Sequence, residues 1–281
     1  MTSNAERRRP AAPRTATVVL WLTLLLLHTP IVVMIVGALI EKKPTAWSWT
    51  LRWFAEVILD QALMDALVNS LKVGFAASVF STLIGTAAVV GLYRSAGMWK
   101  WAVEGLSVVS LIFPEIVFAL SLLSLFFVLK FELGLLTVVI AHVSFSISYV
   151  MMTVGARLAT LDRSYEDAAR DLGASEWQSY RTVVLPLLLP SILGGFILSF
   201  LLSFDDFLIT YFVNGVGKDT LPVKLYTAMK LGVSPKLNAL SSLMFVMTLL
   251  ALIFFFRSSA FRVFFESGRR THGENTKKEN S

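Results

Sequence analysis

Long unbroken apolar runs dominate the chain, with little of the alternating or one-sided patterning of a soluble fold. A membrane-crossing helix needs about 20 mostly apolar residues. Six stretches are read as spans on this basis: Val18–Ile40, Val73–Leu92, Leu106–Leu129, Leu135–Val154, Ser191–Val213 and, shortest, Ala239–Phe256. Arg7–Arg9 and Arg14 precede the first run as they would in a signal peptide. Its apolar core is too long for one, and Glu41-Lys42-Lys43 follows in place of a small-residue cleavage site, so the run is expected to stay as a span. The pattern predicts an all-α integral membrane protein with six transmembrane helices.

Composition agrees. Only 16% of the 281 residues are charged and 56% are hydrophobic, with mean hydropathy +0.69, against about 25% charged residues in a soluble domain. The absence of cysteine excludes disulfides and thiolate metal sites. Three histidines (His28, His142, His272) are too few for a histidine-rich metal centre. The net charge of +6 is not gathered into a nucleic-acid-binding face and bears instead on orientation. The N-terminal tail, the 93–105 and 155–190 loops and the C-terminal tail together hold 16 Lys and Arg, and the intervening connections hold 9. Both termini are therefore expected in the cytoplasm. Residues 1–15 and 267–281 read as disordered polar tails flanking one membrane domain over 16–266.

The 155–190 connection, "GARLATLDRSYEDAARDLGASEWQSYRTVVLPLLLP", is too long to lack structure. Ser164 with Asp167 suggests a capping box opening a helix over Tyr165–Leu172, ended by Gly173. Ser175 with Gln178 suggests a second box, and the next helix would run through Trp177 and Tyr180 to Pro186. Two short helices meeting at a glycine would make a knob on the cytoplasmic face.

Within this knob, "DAARDLGASEWQSYRTVVLP" resembles the EAA motif of binding-protein-dependent ABC importers: Glu-Ala-Ala, three residues, Gly, nine residues, Ile-x-Leu-Pro. Ala168, Ala169, Gly173, Leu185 and Pro186 match with the spacing kept, while Asp167 stands for Glu and Val183 for Ile. The resemblance implies a type I importer permease fold whose cytoplasmic coupling helices dock on an ATP-binding subunit. Glu166, Asp167, Ala168, Ala169, Gly173, Leu185 and Pro186 would then form the ATPase-coupling site. "TLRWF" (Thr50–Phe54), "SFDDFLITYFVNG" and "LPVKLYTAMKLGVSPKLNALSS" are similar to the second permease subunit of spermidine/putrescine importers. The implied partners are a homologous permease, two ATP-binding subunits, a periplasmic binding protein and the lipid bilayer of a bacterial inner membrane, with no nucleic acid. Related branches move other organic cations, amino-sugar conjugates, amino-acid conjugates or opines. The chain would be a transport subunit rather than an enzyme, with no cofactor of its own and ATP bound by a partner. "GVGKDT" (Gly215–Thr220) lacks the spacing of a phosphate-binding loop and reads as a turn.

Asp205 and Asp206 interrupt the fifth apolar run. A charged carboxyl at the centre of a membrane helix costs about 2.5–3.5 kcal/mol, so it should face protein or a water-filled cavity. Helical spacing puts Gly195, Ser199, Ser203, Asp206, Thr210 and Asn214 on one polar stripe, with Asp205 turned about 100° away. Three roles fit the acids: a cation path through a low-dielectric passage, ion pairing or hydrogen bonding that fixes helix packing, or a gate. Glu115 follows Pro114 in "LIFPEIVFAL", where the bend could turn its carboxyl into the same cavity or let it bond across helices. The candidate substrate path is thus Asp205, Asp206, Ser203, Thr210 and Glu115. His142 and His28 read as buried structural histidines, and Trp47, Trp49 and Trp53 as an interfacial aromatic belt. Two rivals of another class remain: an intramembrane enzyme using the acid pair, and an ion-gradient-driven secondary transporter. Adjacent helical residues diverge too far to share a proton well, which weighs against the enzyme.

Overall fold

A computed structural model describes residues 14–42, 46–93 and 97–257. The tails expected at 1–15 and 267–281 lie outside the described residues, apart from Arg14 and Thr15. The chain begins with α1 (Arg14–Leu39), then a short antiparallel ribbon, β1 (Ile40–Lys42) and β2 (Trp47–Trp49), which pairs Ile40 with Trp49 and Lys42 with Trp47. This ribbon is an addition to the all-α expectation. It is followed by α2 (Arg52–Leu59) and the long α3 (Gln61–Tyr93). Next come α4 (Met98–Ile112), α5 (Glu115–Val128), α6 (Leu135–Ala159), α7 (Ser164–Asp171) and α8 (Glu176–Ser179). A π-turn over Tyr180–Val184 leads into α9 (Leu185–Asp205), and α10 (Leu208–Val213), α11 (Leu221–Lys230) and α12 (Pro235–Arg257) complete the described chain.

Among the described residues four helical stretches are long and apolar enough to cross a membrane: Thr15–Leu39, Gln61–Leu92, Leu135–Ala159 and Glu176–Asp205. The third expected span is two helices, α4 and α5, meeting at 112°. Pro114 explains the break: the residue before a proline is driven out of the helical region, and Phe113 is extended at φ −64°, ψ 134°. The expected sixth span falls on α12, whose apolar stretch among the described residues, Pro235–Leu250, is shorter than a crossing helix, so these residues give four spans, or five if α4 and α5 form one. The second span begins twelve residues earlier than its apolar run, at Gln61.

Helices α3, α6 and α9 pack as the central trio, α1 lies along α12, and α10 sits against α5 and α6. Small residues allow this closeness. A Cβ on Gly85 of α3 would stand 2.9 Å from Val150 Cβ and 3.1 Å from the Ile147 carbonyl oxygen, so only glycine fits between α3 and α6 there. One apolar cluster joins Val89, Val150, Val154, Leu158, Val184 and Leu188 near the knob. Another, around Ala38, Val57, Ala66, Leu240 and Met244, closes the opposite end. Val18, Trp21, Leu25, Val32 and Val33 of α1 stay exposed, as suits a helix solvated by lipid rather than water.

The fifth expected span is not one helix. It ends at Asp205, and Asp206 is extended (φ −67°, ψ 124°) before α10 begins. The cause is the aspartate itself. Asp206 Oδ2 accepts from Thr210 N–H at 2.8 Å and Oδ1 from Ile209 N–H at 3.3 Å, so its carboxyl caps α10 in place of continuing α9. Pro190, by contrast, sits inside α9 without ending it.

Candidate functional site

The break in α9–α10 and the break in α4–α5 open onto the same space. A cavity of about 1040 Å³ is lined by Glu115, Asp205 and Asp206, and its walls include Phe118, Phe145, Tyr149 and Phe207. Glu115 is the first residue of α5, where unpaired backbone N–H groups favour a carboxylate. Its carboxyl lines the same cavity as those of Asp205 and Asp206. The two broken helices thus bring together acids separated by ninety residues of chain.

The two aspartates have different surroundings. Asp205 is exposed toward the cavity. Asp206 is buried, 7% exposed, and its Oδ2 accepts from Thr210 N–H and Thr210 Oγ1–H at 2.8 Å each and lies 3.0 Å from His142 Nε2. His142, fully buried, reaches Ser203 Oγ at 2.6 Å through Nδ1. Ser203 and Thr210, read from the sequence as part of the path, do not line the cavity; Thr210 bonds Asp206 directly, and Ser203 bonds the His142 that meets it. The polar stripe has the same meaning higher up. Gly195, Ser199 and Ser203 are buried in α9, with Gly195 against Val150 of α6, so the stripe is a packing seam and only its acidic end reaches the cavity. Asn214, at its far end, donates to Asp219 Oδ1 at 3.0 Å.

Phe207, which flanks the acids in the sequence, belongs to an aromatic group whose other members the sequence left unmarked. Phe207 packs on Tyr226 of α11 with ring centroids 4.2 Å apart and on Tyr211 at 5.4 Å. The Lys230 ammonium stands 4.6 Å above Tyr226 and 5.8 Å from the Tyr211 centroid, a cation held on aromatic faces. The one available signal was the four-residue spacing of Tyr226 and Lys230, which places them on one side of α11.

The knob is built from α7 and α8. Gly173 adopts φ +85°, and Ala174 N–H reaches back to the Ala169 carbonyl at 3.0 Å, the left-handed helix stop expected of glycine. Ser175 and Gln178 form the expected reciprocal capping box. The Ser164–Asp167 box does not form: α7 starts at Ser164 itself, whose N–H is taken by Asp162 Oδ1 at 2.9 Å. Nor does the second helix stop at Pro186. Proline has no N–H to continue the ladder, and the chain absorbs this with the π-turn, Leu185 N–H bonding the Tyr180 carbonyl five residues back. Leu185 and Pro186 thereby join the knob rigidly to α9. Asp167 and Ala168 are exposed on α7, Glu166 and Ala169 half-buried, with Tyr165, Leu172 and Trp177 exposed around them. Gly215–Thr220 is a turn, fastened by Asp219 to Lys224 at 2.9 Å.

The sequence matches, over residues 81–271, the family described as Binding-protein-dependent transport system inner membrane component. The chain belongs to this family. The spermidine/putrescine transport system permease protein PotC of Escherichia coli (strain K12) is 37% identical over 229 residues, covering 81% of this chain and 87% of that protein. PotC of Haemophilus influenzae is 35% identical, covering 79% and 88%. The putrescine permease PotI of Escherichia coli (strain K12) is 34% identical, covering 80% and 84%. Among solved structures, a bacterial ABC transporter that imports the acidic polysaccharide alginate superposes with TM-score 0.65 at 15% identity, covering 88% of this chain and 96% of that one. The MetNI methionine transporter gives TM-score 0.61 at 18% identity, covering 73% and 99%. The protein is thus a multi-pass ABC importer permease with the type I fold, a transport subunit that works with an ATPase and a binding protein. The ion-gradient carrier and the acid-pair enzyme give way to this assignment.

Proposed function

We propose that this permease imports polyamines, and that Glu115, Asp205 and Asp206 line the path of their ammonium groups. The observation that carries the reading is the convergence of three carboxyls on one cavity whose other walls are mostly apolar and aromatic, with the hydroxyls of Ser110, Ser241 and Thr248. Each carboxylate lowers the cost of bringing an ammonium into a low-dielectric passage, and aromatic faces add cation–π attraction. The Lys230 ammonium on Tyr226 supports this: the neighbourhood already accommodates such a group. Similarity to permeases named for spermidine and putrescine supports the cargo class. Thr210 serves the path by holding Asp206, and Ser203 by bonding the His142 beside it.

The membrane domain spans 16–266, and both termini face the cytoplasm of a bacterial inner membrane, as the Lys and Arg distribution supports. The knob then lies inside, and Glu166, Asp167, Ala168, Ala169, Gly173, Leu185 and Pro186 form the coupling element against an ATP-binding subunit. Its exposed small and apolar surface supports this role. A single knob and a cavity walled by one chain imply a homologous permease opposite, two ATP-binding subunits and one periplasmic binding protein. The test is uptake of labelled putrescine and spermidine by proteoliposomes holding the whole complex, with ATP inside and binding protein outside. ATP-dependent uptake is expected. Transport of neither polyamine, in vesicles whose ATPase is still stimulated by the binding protein, would overturn the cargo assignment.

A further inference from the structure

His142 is fully buried in α6 and does not line the cavity. An imidazole is costly to bury unless both ring nitrogens are bonded. Both are here: Nδ1 lies 2.6 Å from Ser203 Oγ, and Nε2 lies 3.0 Å from Asp206 Oδ2 and 3.1 Å from Thr210 Oγ1. An ionised carboxylate only accepts, so the nitrogen facing it carries the hydrogen. That makes Nε2 a donor, and in the neutral ring leaves Nδ1 to accept from the Ser203 hydroxyl. The bonds then run one way, Ser203 donating to His142 and His142 to Asp206, from α9 through α6 to the break before α10.

We propose that His142 is a positioning residue of the cation path, with Ser203 fixing its tautomer, so that Asp206 offers one carboxylate oxygen to the cavity. The inference rests on the ammonium path proposed above. Oδ2 is filled by His142, Thr210 N–H and the Thr210 hydroxyl, whereas Oδ1 takes the 3.3 Å contact from Ile209 N–H and keeps acceptor capacity on the side of the cavity that Glu115 also lines. A carboxyl held in this way does not have to be ordered when cargo arrives, which removes part of the cost of binding. Phe145 lies edge-on to the His142 ring at 5.5 Å and also lines the cavity, so it screens the imidazole from the passage.

The test compares His142→Gln, His142→Asn and His142→Leu in the complete reconstituted complex, reading KM and maximal rate for labelled putrescine, with binding-protein-stimulated ATP hydrolysis as the index of an intact assembly. A glutamine amide nitrogen reaches the place of Nε2 and an asparagine nitrogen only that of Nδ1. Gln is therefore expected to hold KM within about threefold of the parent, while Asn and Leu raise it about tenfold or more, the size of a lost bond to a charged acceptor. In an Asp206→Asn background the same changes should add no further rise. Equal losses for Gln and Asn, an unchanged KM in all three, or additive effects with Asp206→Asn would overturn the proposal. If the parent complex moves no polyamine, the cargo reading fails by itself. The positioning role is then decided by nitrogen NMR of isotope-labelled histidine, with the signal of His142 assigned by its loss in His142→Gln. A hydrogen on Nε2 alone, its signal shifted by Asp206→Asn, supports it, and a hydrogen on Nδ1, alone or beside one on Nε2, overturns it.

Discussion

Neutralising the two aspartates one at a time separates a path carboxyl that is also bonded into the fold from one that only faces the cavity. Asp206 Oδ2 takes three donors, two from Thr210 at 2.8 Å and one from His142 at 3.0 Å. Bonds to a charged acceptor contribute about 1.5–3 kcal/mol and neutral ones about 0.5–1.5 kcal/mol. Asp206→Asn keeps one acceptor oxygen, so each bond weakens by about 1 kcal/mol and the set by about 2–3 kcal/mol. For a chain of this size that corresponds to a fall in Tm of roughly 5–10 °C. Asp205 is exposed in the cavity, and Asp205→Asn should leave Tm within about 1–2 °C, the range of a surface change. Its effect belongs to cargo: an ammonium about 4 Å from a carboxylate gains at least about 1 kcal/mol, so KM for putrescine should rise at least about fivefold. The assay pairs thermal unfolding of the purified complex with uptake in proteoliposomes. Equal Tm values for the two variants, or a larger Tm loss for Asp205→Asn, would refute the division of roles.

Glu115→Gln removes a cavity carboxyl at a helix start and should raise KM for putrescine with the ATPase still stimulated; unchanged uptake would take Glu115 out of the path. Gly85→Ala drives a methyl against Val150 and the Ile147 carbonyl and should destabilise by about 1–3 kcal/mol. Gly195→Ala meets Val150 at an ordinary 3.5 Å and should be nearly neutral, a contrast readable in thermal melts. Gly173→Pro cannot adopt φ +85° and should abolish uptake while binding protein no longer stimulates ATP hydrolysis. Asp60, outside the membrane spans, is held below its usual pKa chiefly by its bond to Lys236 at 2.7 Å. A depressed carboxyl stabilises above its unfolded pKa and loses that contribution as pH falls through the folded value, so Tm should drop below about pH 4 and the drop should shrink in Lys236→Met.

Lipid as solvent was legible in the sequence because it demands long apolar helices, and a run of that length has few alternatives. Part of the knob was equally legible, though the Ser164–Asp167 box and the stop at Pro186 were not borne out. Gly173 and the Ser175–Gln178 box act within one helical turn, so their geometry follows from local chemistry. Failures came where a local reading assumed the helix continued. Ser203 and Thr210 share a face with Asp206 only if α9 is unbroken, and the carboxyl of Asp206 breaks it by capping α10. The outcome also depended on α6, whose His142 meets that carboxyl from sixty-four residues away. Local sequence therefore determined the membrane class, the helix-stopping glycine and the presence of acids in an apolar run. Tertiary packing alone decided which acid is fastened and which is open, that Glu115 joins them, and that Phe207, Tyr211, Tyr226 and Lys230 meet beside them. Those contacts link elements far apart in the chain, and no periodicity within one helix encodes the position of another.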